Sequence, residues 1–459
     1  MSVFRLSKTV KNIDRLIRKS PARMIFCGFA LLILIGTILL SLPVSTRDGN
    51  STSFITALFT ATSSVCVTGM VVVDTNTYWS LFGKIIILLL VQIGALGIMS
   101  VVTLFAVITR KNLDLSQRMA IKESISNFSL ENIAIIFKKI LKMMIIIEGA
   151  GAVLTSLDLI PVYGVIEGIG RSIFHSIASF CNAGFDVFGT DSEKFIGLTN
   201  YNSNVLFILT TSVLIIAGGL GFIVWEDVTK VKRFSRFTLH TKIVLIMTVF
   251  LIVSGTILIM VFEKDNTMRE LPVHIKLLNA FFHSVSARTA GFGTFPIHEM
   301  STLSILITML LMFVGGAPGS TAGGIKVTTM FVLIATVVSF LKGNSEVQIL
   351  KRRITADIIM RSISIFLLSL TLVILTTIVL LINKEGSLVQ VLFEAVSAFS
   401  TAGASTEITP YLKDSSKYQL IITMFLGRVG LITTFAAFNT RSGKDNRGYR
   451  YPEGKITVG

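Results

Sequence analysis

Charge is what this chain has least of. Of its 459 residues only 15% are Asp, Glu, Lys or Arg, whereas a soluble globular chain carries about 25%. Too few polar side chains remain to coat a water-exposed surface, so soluble-enzyme, fibrous and disordered classes are excluded together. Cysteine is scarce too. Cys27, Cys66 and Cys181 are an odd three without metal-type spacing, each in or beside an apolar stretch, so no disulfide framework or zinc site follows. There is no H-E-x-x-H, no paired intramembrane Asp and no Ser/His/Asp set, and the five histidines are dispersed, which argues against a membrane enzyme. What is abundant is apolar: 52% hydrophobic residues and a mean hydropathy of +0.76. This composition belongs to a polytopic membrane protein.

Apolar runs near 24–43, 80–108, 140–160, 204–225, 243–262, 302–340, 358–382 and 418–438 each approach the roughly 20 residues that cross a bilayer. The basic N-terminus before Met24 imitates a signal peptide, but no A-x-A site follows and the run is read as a retained first helix. Between the members of each pair lies a shorter apolar piece: 53–69, 170–184, 276–291 and 388–403. Ten to fourteen apolar residues suit a re-entrant segment better than a crossing. Each piece has a Phe (Phe59, Phe174, Phe281, Phe393) ten residues before a glycine (Gly69, Gly184, Gly291, Gly403). The glycines stand 115, 107 and 112 residues apart. Self-similarity at a steady period of about 110 residues marks a repeat.

Charge position fixes an orientation. The net charge of +16 sits in short clusters between apolar runs, not in an aromatic-interleaved patch, so no nucleic acid partner is expected. If the N-terminus is inside and the short pieces do not cross, the inner segments hold 29 Lys+Arg and the outer ones 10, the bias of a chain with both termini cytosolic. All four short pieces then dip in from outside. Non-helical backbone at membrane depth must be buried in protein or line a wet cavity. Four equivalent loops around one axis meet that requirement together, their carbonyls replacing the hydration shell of a cation. Glycine permits the φ > 0 backbone that aims successive carbonyls one way. Few carboxylates accompany the loops (Glu394 is one), so backbone oxygens suit a weakly hydrated monovalent ion better than Ca²⁺.

The motifs Val67-Thr68-Gly69-Met70, Asn182-Ala183-Gly184-Phe185, Thr289-Ala290-Gly291-Phe292 and Thr401-Ala402-Gly403-Ala404 resemble the four selectivity-filter loops of the Trk/Ktr/HKT potassium transporters. The resemblance covers residues 20–459; Met70 and Ala404 depart mildly from the Leu or Phe the family often has after the glycine. It implies an all-α polytopic fold of four tandem M1–P–M2 (potassium-channel-like) repeats, with eight spanning helices and four re-entrant pore loops, pseudo-four-fold around one pore. The division would be 1–23, a cytosolic basic N-terminus; 24–110, 111–228, 229–341 and 342–438, four repeats, the third with a broken last helix; and 439–459, a cytosolic tail. Length, short tails and Tyr451-Pro-Glu-Gly-Lys455 are most similar to the Ktr membrane subunit. That similarity implies potassium uptake across the plasma membrane, a homodimer with the tail Asn439–Gly459 near its contact, and a cytosolic nucleotide-binding (RCK-type) ring as partner. Potassium is then the transported ion, sodium a candidate activator, and no cofactor is expected. A secondary carrier for another solute is the alternative, although such carriers often show inverted or two-fold repeats.

Two features of the lower half stand out. The run near 302–340 is interrupted by Gly315-Gly316-Ala317-Pro318-Gly319-Ser320-Thr321-Ala322-Gly323-Gly324, a stretch that breaks any helix. It lacks the G-x-x-x-x-G-K-[ST] spacing of a phosphate loop. A close-packed kink is one reading; a mobile gate loop under the filter is what the family resemblance implies. Arg428, in the middle of the last span, costs at least about 2.5–3.5 kcal/mol at the bilayer centre, so it should face inward. It either serves helix-end carbonyls or a buried carboxylate, or acts as a barrier and a partner for the gate loop. Arg288 is expected behind the filter, and His175 and His283 as packing or interfacial residues. The longest inner loop, 109–142, leaves no room for a sensing domain, so regulation is expected from a separate protein.

Overall fold

In the computed structural model, which describes residues 21–97, 133–231, 233–344, 346–350 and 352–438, hydroxyl and amide side chains start many of the helices. Helix α1 (Pro21–Ser41) is followed by α2 (Phe54–Val65), capped by Ser53, and α3 (Leu81–Leu96), capped by Ser80. Next come α4 (Ile133–Tyr163), α5 (Val165–Phe180) and α6 (Val205–Leu220), the last capped by Asn204 and continued by α7 (Phe222–Val231). Thr238 caps α8 (Leu239–Glu263); α9 (Val273–Ser286), α10 (Thr302–Phe313) and α11 (Val327–Leu341) follow. The chain ends in α12 (Ala356–Ile382), α13 (Leu388–Ser400), α14 (Asp414–Val429) and α15 (Leu431–Phe438). A capping box of Ser387 and Gln390 begins α13, satisfying two orphan amides at once.

Long helix, short helix and apolar helix thus recur four times in chain order. Among the described residues four helices are long and apolar enough to cross a membrane: Ala22–Ser41, Lys138–Tyr163, Leu239–Glu263 and Ala356–Ile382. Two bent pairs, α6 with α7 and α14 with α15, turn by 94° and 93°. Here the structure departs from straight spans over 204–225 and 418–438. The apolar composition runs on, but Gly221 (φ +85°) and Gly430 (φ +89°) take backbone conformations that side chains rarely adopt. The run 302–340 is two helices with an irregular segment between Phe313 and Val327. Among the described residues a small antiparallel hairpin, β1 (Gln348–Ile349) with β2 (Arg352–Arg353), interrupts the succession of helices. The N-terminal residues 1–20, the loop 98–132 and the tail Asn439–Gly459 lie outside the described residues.

Leu31, Leu34 and Ile38 on α1 and Leu367, Ile374 and Ile378 on α12 are exposed, as side chains facing lipid would be. Inside, small residues let backbones meet. A Cβ on Gly94, Gly218 or Gly427 would overlap the carbonyl of Val65, Phe180 or Phe399 respectively, so α3, α6 and α14 each close on the end of the short helix before them.

Candidate functional site

The short helices end in a shared way. In α2, α5 and α13 the residue two before the glycine is left-handed although it is not glycine: Val67 (φ +57°), Asn182 (+58°) and Thr401 (+51°). The next amide reaches five residues back: Thr68 to Ser63 (2.7 Å), Ala183 to Ala178 (2.8 Å) and Ala402 to Ser397 (2.9 Å). This is the Schellman closure with a side-chain-bearing residue where glycine usually sits. At α9, Thr289 (φ +74°) takes the strained position and Gly291 N bonds Ser286 O at 3.2 Å, one residue later. Left-handed non-glycine backbone held four times by its surroundings makes this a candidate functional site.

The loops then meet. Gly69, Gly184, Gly291 and Gly403 have φ of +84°, +67°, +75° and +83°. A Cβ on Gly69 would strike the Ala183 carbonyl, one on Gly184 would lie 2.8 Å from the Ala290 carbonyl, one on Gly291 would strike that of Ala402, and one on Gly403 that of Thr68. First touches second, second third, third fourth, and fourth first: the contacts close a ring. On one side the ring floors an open cavity of about 590 Å³, whose wall includes Asp186, Glu193, Lys194, Phe195, Glu407 and Tyr411. Burial pushes the Asp186 carboxyl up to about 6; the nearby Asp74 carboxylate adds to this and the Phe188 amide works against it.

On the other side lies the segment 315–324. Thr321 Oγ1 donates to the Phe180 carbonyl at 3.3 Å, and a Cβ on Gly323 would meet Thr401 Oγ1 and the Ser400 carbonyl. Two basic side chains hold the segment by consecutive carbonyls: Arg428 Nη1 donates to Thr321 O, and Lys326 Nζ to Ala322 O at 2.6 Å. Arg428 Nη2 also serves the end of α3, donating to Gly94 O (2.6 Å) and Ala95 O (3.4 Å). Arg428 thus joins the end of α3 to the segment through its two terminal nitrogens.

A family model described as TrkH, cation transport protein, matches residues 27–447. The chain belongs to this family. It is 38% identical over 447 residues to the potassium/sodium uptake protein NtpJ of Enterococcus hirae, covering 96% of this chain and 98% of that one. It is 36% identical over 445 residues to the Ktr system potassium uptake protein B of Bacillus subtilis, with the same coverage. Its fold matches the crystal structure of the potassium transporter TrkH from Vibrio parahaemolyticus with a TM-score of 0.69, at 17% identity, covering 90% of this chain and 85% of that one.

Within this TrkH-family chain, several residues around the ring escaped sequence reasoning. Glu148 on α4 is buried and accepts from Gln92 Nε2 at 3.0 Å, while the Cys181 thiol at the end of α5 donates to Gln92 Oε1 at 3.3 Å. A single carboxylate inside an apolar run gave no pattern to detect. The bends did carry a signal: Gly94–Gly97, Gly218–Gly221 and Gly427–Gly430 share a G-x-x-G spacing after the ring glycines. Arg288 is buried, donates to Thr248 Oγ1 at 3.4 Å, and leaves its Nε without a protein partner. His175 and His283 each pair through Nε2 with a threonine of the following helix, Thr211 and Thr308, both at 2.9 Å, and pack against aromatic rings.

Glu394, fully buried on α13, braces the backbone beyond Gly403. It accepts from Ser405 Oγ (2.7 Å), Thr406 N (2.8 Å), Thr406 Oγ1 (3.1 Å) and Thr409 Oγ1 (2.7 Å). Alanine at this position leaves those donors buried and unpaired, which costs about 1–3 kcal/mol for each one that stays unsatisfied. Glu394→Ala is expected to lower the thermal midpoint of the detergent-solubilised protein by several degrees, and Glu394→Gln by less. Equal midpoints in a fluorescence melt would exclude this brace.

Proposed function

We propose that this chain is the ion-conducting subunit of a potassium uptake system, with the glycine ring as its selectivity filter. Val67, Thr68 and Gly69, with Asn182, Ala183 and Gly184, Thr289, Ala290 and Gly291, and Thr401, Ala402 and Gly403, would present their carbonyls to a dehydrating cation. The observation that carries this reading is the cyclic contact of each ring glycine with the carbonyl before the next one. A second supports it: the hydroxyls of Thr68, Thr289 and Thr401 are buried without a protein partner. Most buried polar groups in proteins are paired, and a passing ion or its water would satisfy these three.

The four long–short–apolar units are read as M1–P–M2 repeats around one pore, with eight spans and both termini cytosolic; the excess of Lys+Arg on one side supports that orientation. Segment 315–324 is read as the gate. It lies against the ends of α5 and α13, opposite the cavity, and Arg428 adds a positive barrier that keeps potassium from lingering there. The relatives' names, a Ktr system potassium uptake protein and a potassium/sodium uptake protein, support potassium as the substrate and sodium as an activator or second substrate. A homodimer in the plasma membrane and a cytosolic nucleotide-binding ring rest on the family resemblance. Rubidium-86 uptake by proteoliposomes, competed by potassium but not by organic solutes, tests the reading; uptake of an organic solute instead would favour a secondary carrier.

The cavity supplies a pH test. Asp186 follows Gly184 by two residues and carries charge only above about pH 6. Lowering the pH on the cavity side through 6 removes one negative charge from the mouth. A unit charge about 4 Å from an ion is worth about 1 kcal/mol in water, and less farther away, so the apparent potassium affinity should fall by up to about five-fold between pH 7.5 and 5.5. Asp186→Asn should start at the weaker value and lose most of the pH dependence. A variant that keeps the wild-type profile would clear Asp186 of this role.

A further inference from the structure

The bend glycines Gly221 and Gly430 have nearly the same φ, +85° and +89°, but different surroundings. A Cβ on Gly430 would meet only Thr433 Oγ1, at 3.7 Å. At Gly221 it would lie 3.0 Å from the Pro318 carbonyl and 3.3 Å from that of Gly319. The tip of segment 315–324 therefore rests on the α6–α7 bend. Backbone hydrogen bonds join the two on both sides of that contact. Phe222 N donates to Gly319 O (3.1 Å), Ala317 N to Gly219 O (3.0 Å) and Thr321 N to Gly218 O (3.3 Å).

The bend is itself braced. Trp225 Nε1 donates back to Ala217 O at 2.9 Å, which couples the direction of α7 to the end of α6. At its far end α7 becomes polar and exposed, with Lys230 bonded to Glu226 at 2.6 Å, and Asp227 accepts from Thr238 N and Oγ1, both at 2.9 Å, at the start of α8. A rigid, braced helix with an accessible end and a buried end on the segment has the form of a lever.

We infer that Gly221 is a positioning residue for the gate: the α6–α7 bend holds the tip of segment 315–324 in the closed place, and α7 is the arm whose displacement releases it. This rests on reading 315–324 as the gate. Displacing α7 strains the Phe222–Gly319 hydrogen bond directly and pulls, through Gly221 and the Trp225 brace, on the end of α6 whose Gly218 and Gly219 carbonyls accept the other two, so the segment follows the arm. The α14–α15 bend lacks that contact and reaches the segment only through the Arg428 side chain.

The test uses the full chain in proteoliposomes, with rubidium-86 flux measured with and without the cytosolic partner, in three variants and a deletion. Gly221→Ala puts a methyl against the Pro318 carbonyl and should raise partner-independent flux several-fold while the potassium-to-sodium ratio stays unchanged. Gly430→Ala carries similar backbone strain without the contact and should leave flux within about twofold of wild type. Phe222→Pro removes the amide that serves Gly319 O, together with the buried Phe222 ring, at the first position of a helix, where proline is tolerated; Gly221 ψ of 150° suits a residue before proline. It should act in the same direction as Gly221→Ala, and it keeps the question open to test if the alanine variant does not fold. Deleting 317–321 reports on the gate alone. If the deletion raises flux and both bend variants leave it at wild type, the coupling is overturned and the gate reading stands. If the deletion changes nothing, the gate reading falls and the inference with it.

Discussion

Serine in place of Gly291 is expected to abolish discrimination between potassium and sodium, and serine in place of Gly184 to weaken it. Two separate costs fall on these positions. The first is conformational, because both glycines have positive φ, +75° and +67°, where a side chain costs roughly 1–2 kcal/mol. The second is steric and unequal. A Cβ at Gly291 overlaps the Ala402 carbonyl outright, whereas at Gly184 it stands 2.8 Å from that of Ala290. Either way the group displaced is one of the carbonyls proposed to coordinate the ion. Neither site lies in a helix or in the lipid-facing shell, so the fold should survive. Rubidium-86 and sodium-22 uptake measured in parallel should give ratios in the order wild type, then Gly184→Ser, then Gly291→Ser. Wild-type ratios in both variants would remove the ring from selectivity.

Much of this architecture is written in the sequence because it rests on short-range rules. A dozen apolar residues ending in Phe–x9–Gly are too few to cross a bilayer and end where glycine takes positive φ; α2, α5, α9 and α13 end just before those glycines. Five glycines and a proline in ten residues stop a helix, and α10 stops at Phe313. Hydropathy sees neither bend. Gly221 and Gly430 sit in runs whose apolar character continues unbroken, and a 90° turn leaves composition unchanged. Partners distant in sequence were equally hidden. Arg428 reaches carbonyls 107 and 334 residues away, and Glu148 finds Gln92 56 residues upstream. Such pairs depend on how the units pack around one another, which no local pattern encodes. The left-handed Val67, Thr289 and Thr401 were missed for another reason: unlike Asn182, whose type tolerates that conformation, none is a residue type that announces it, and the tertiary packing imposes it.

Shortening segment 315–324 should have the largest effect on rate. Deleting 317–321 removes the tip and, with it, the carbonyl of Thr321 that Arg428 grips. Hydrogen bonds to charged donors contribute about 1.5–3 kcal/mol each, and weakening a closed state by about 1.4 kcal/mol changes its population about tenfold. Flux through the deletion variant should therefore rise by about tenfold and depend less on the cytosolic partner. Arg428→Ala should move flux the same way by a smaller factor. It also leaves the Gly94 and Ala95 carbonyls without that donor, so a lower thermal midpoint should accompany the gain. A deletion variant that folds and keeps wild-type flux and partner dependence would reduce the segment to a packing kink, with Arg428 its structural partner.

The central claim is that four glycine loops from one chain coordinate a single file of potassium ions, and anomalous diffraction tests it most directly. Crystals grown in rubidium or thallium(I) in place of potassium should show strong anomalous density on the axis of the ring, within coordination distance of the carbonyls of Thr68, Ala183, Ala290 and Ala402. Density should be absent at the level of Arg428. Peaks that avoid the ring while another part of the chain is occupied would contradict the claim.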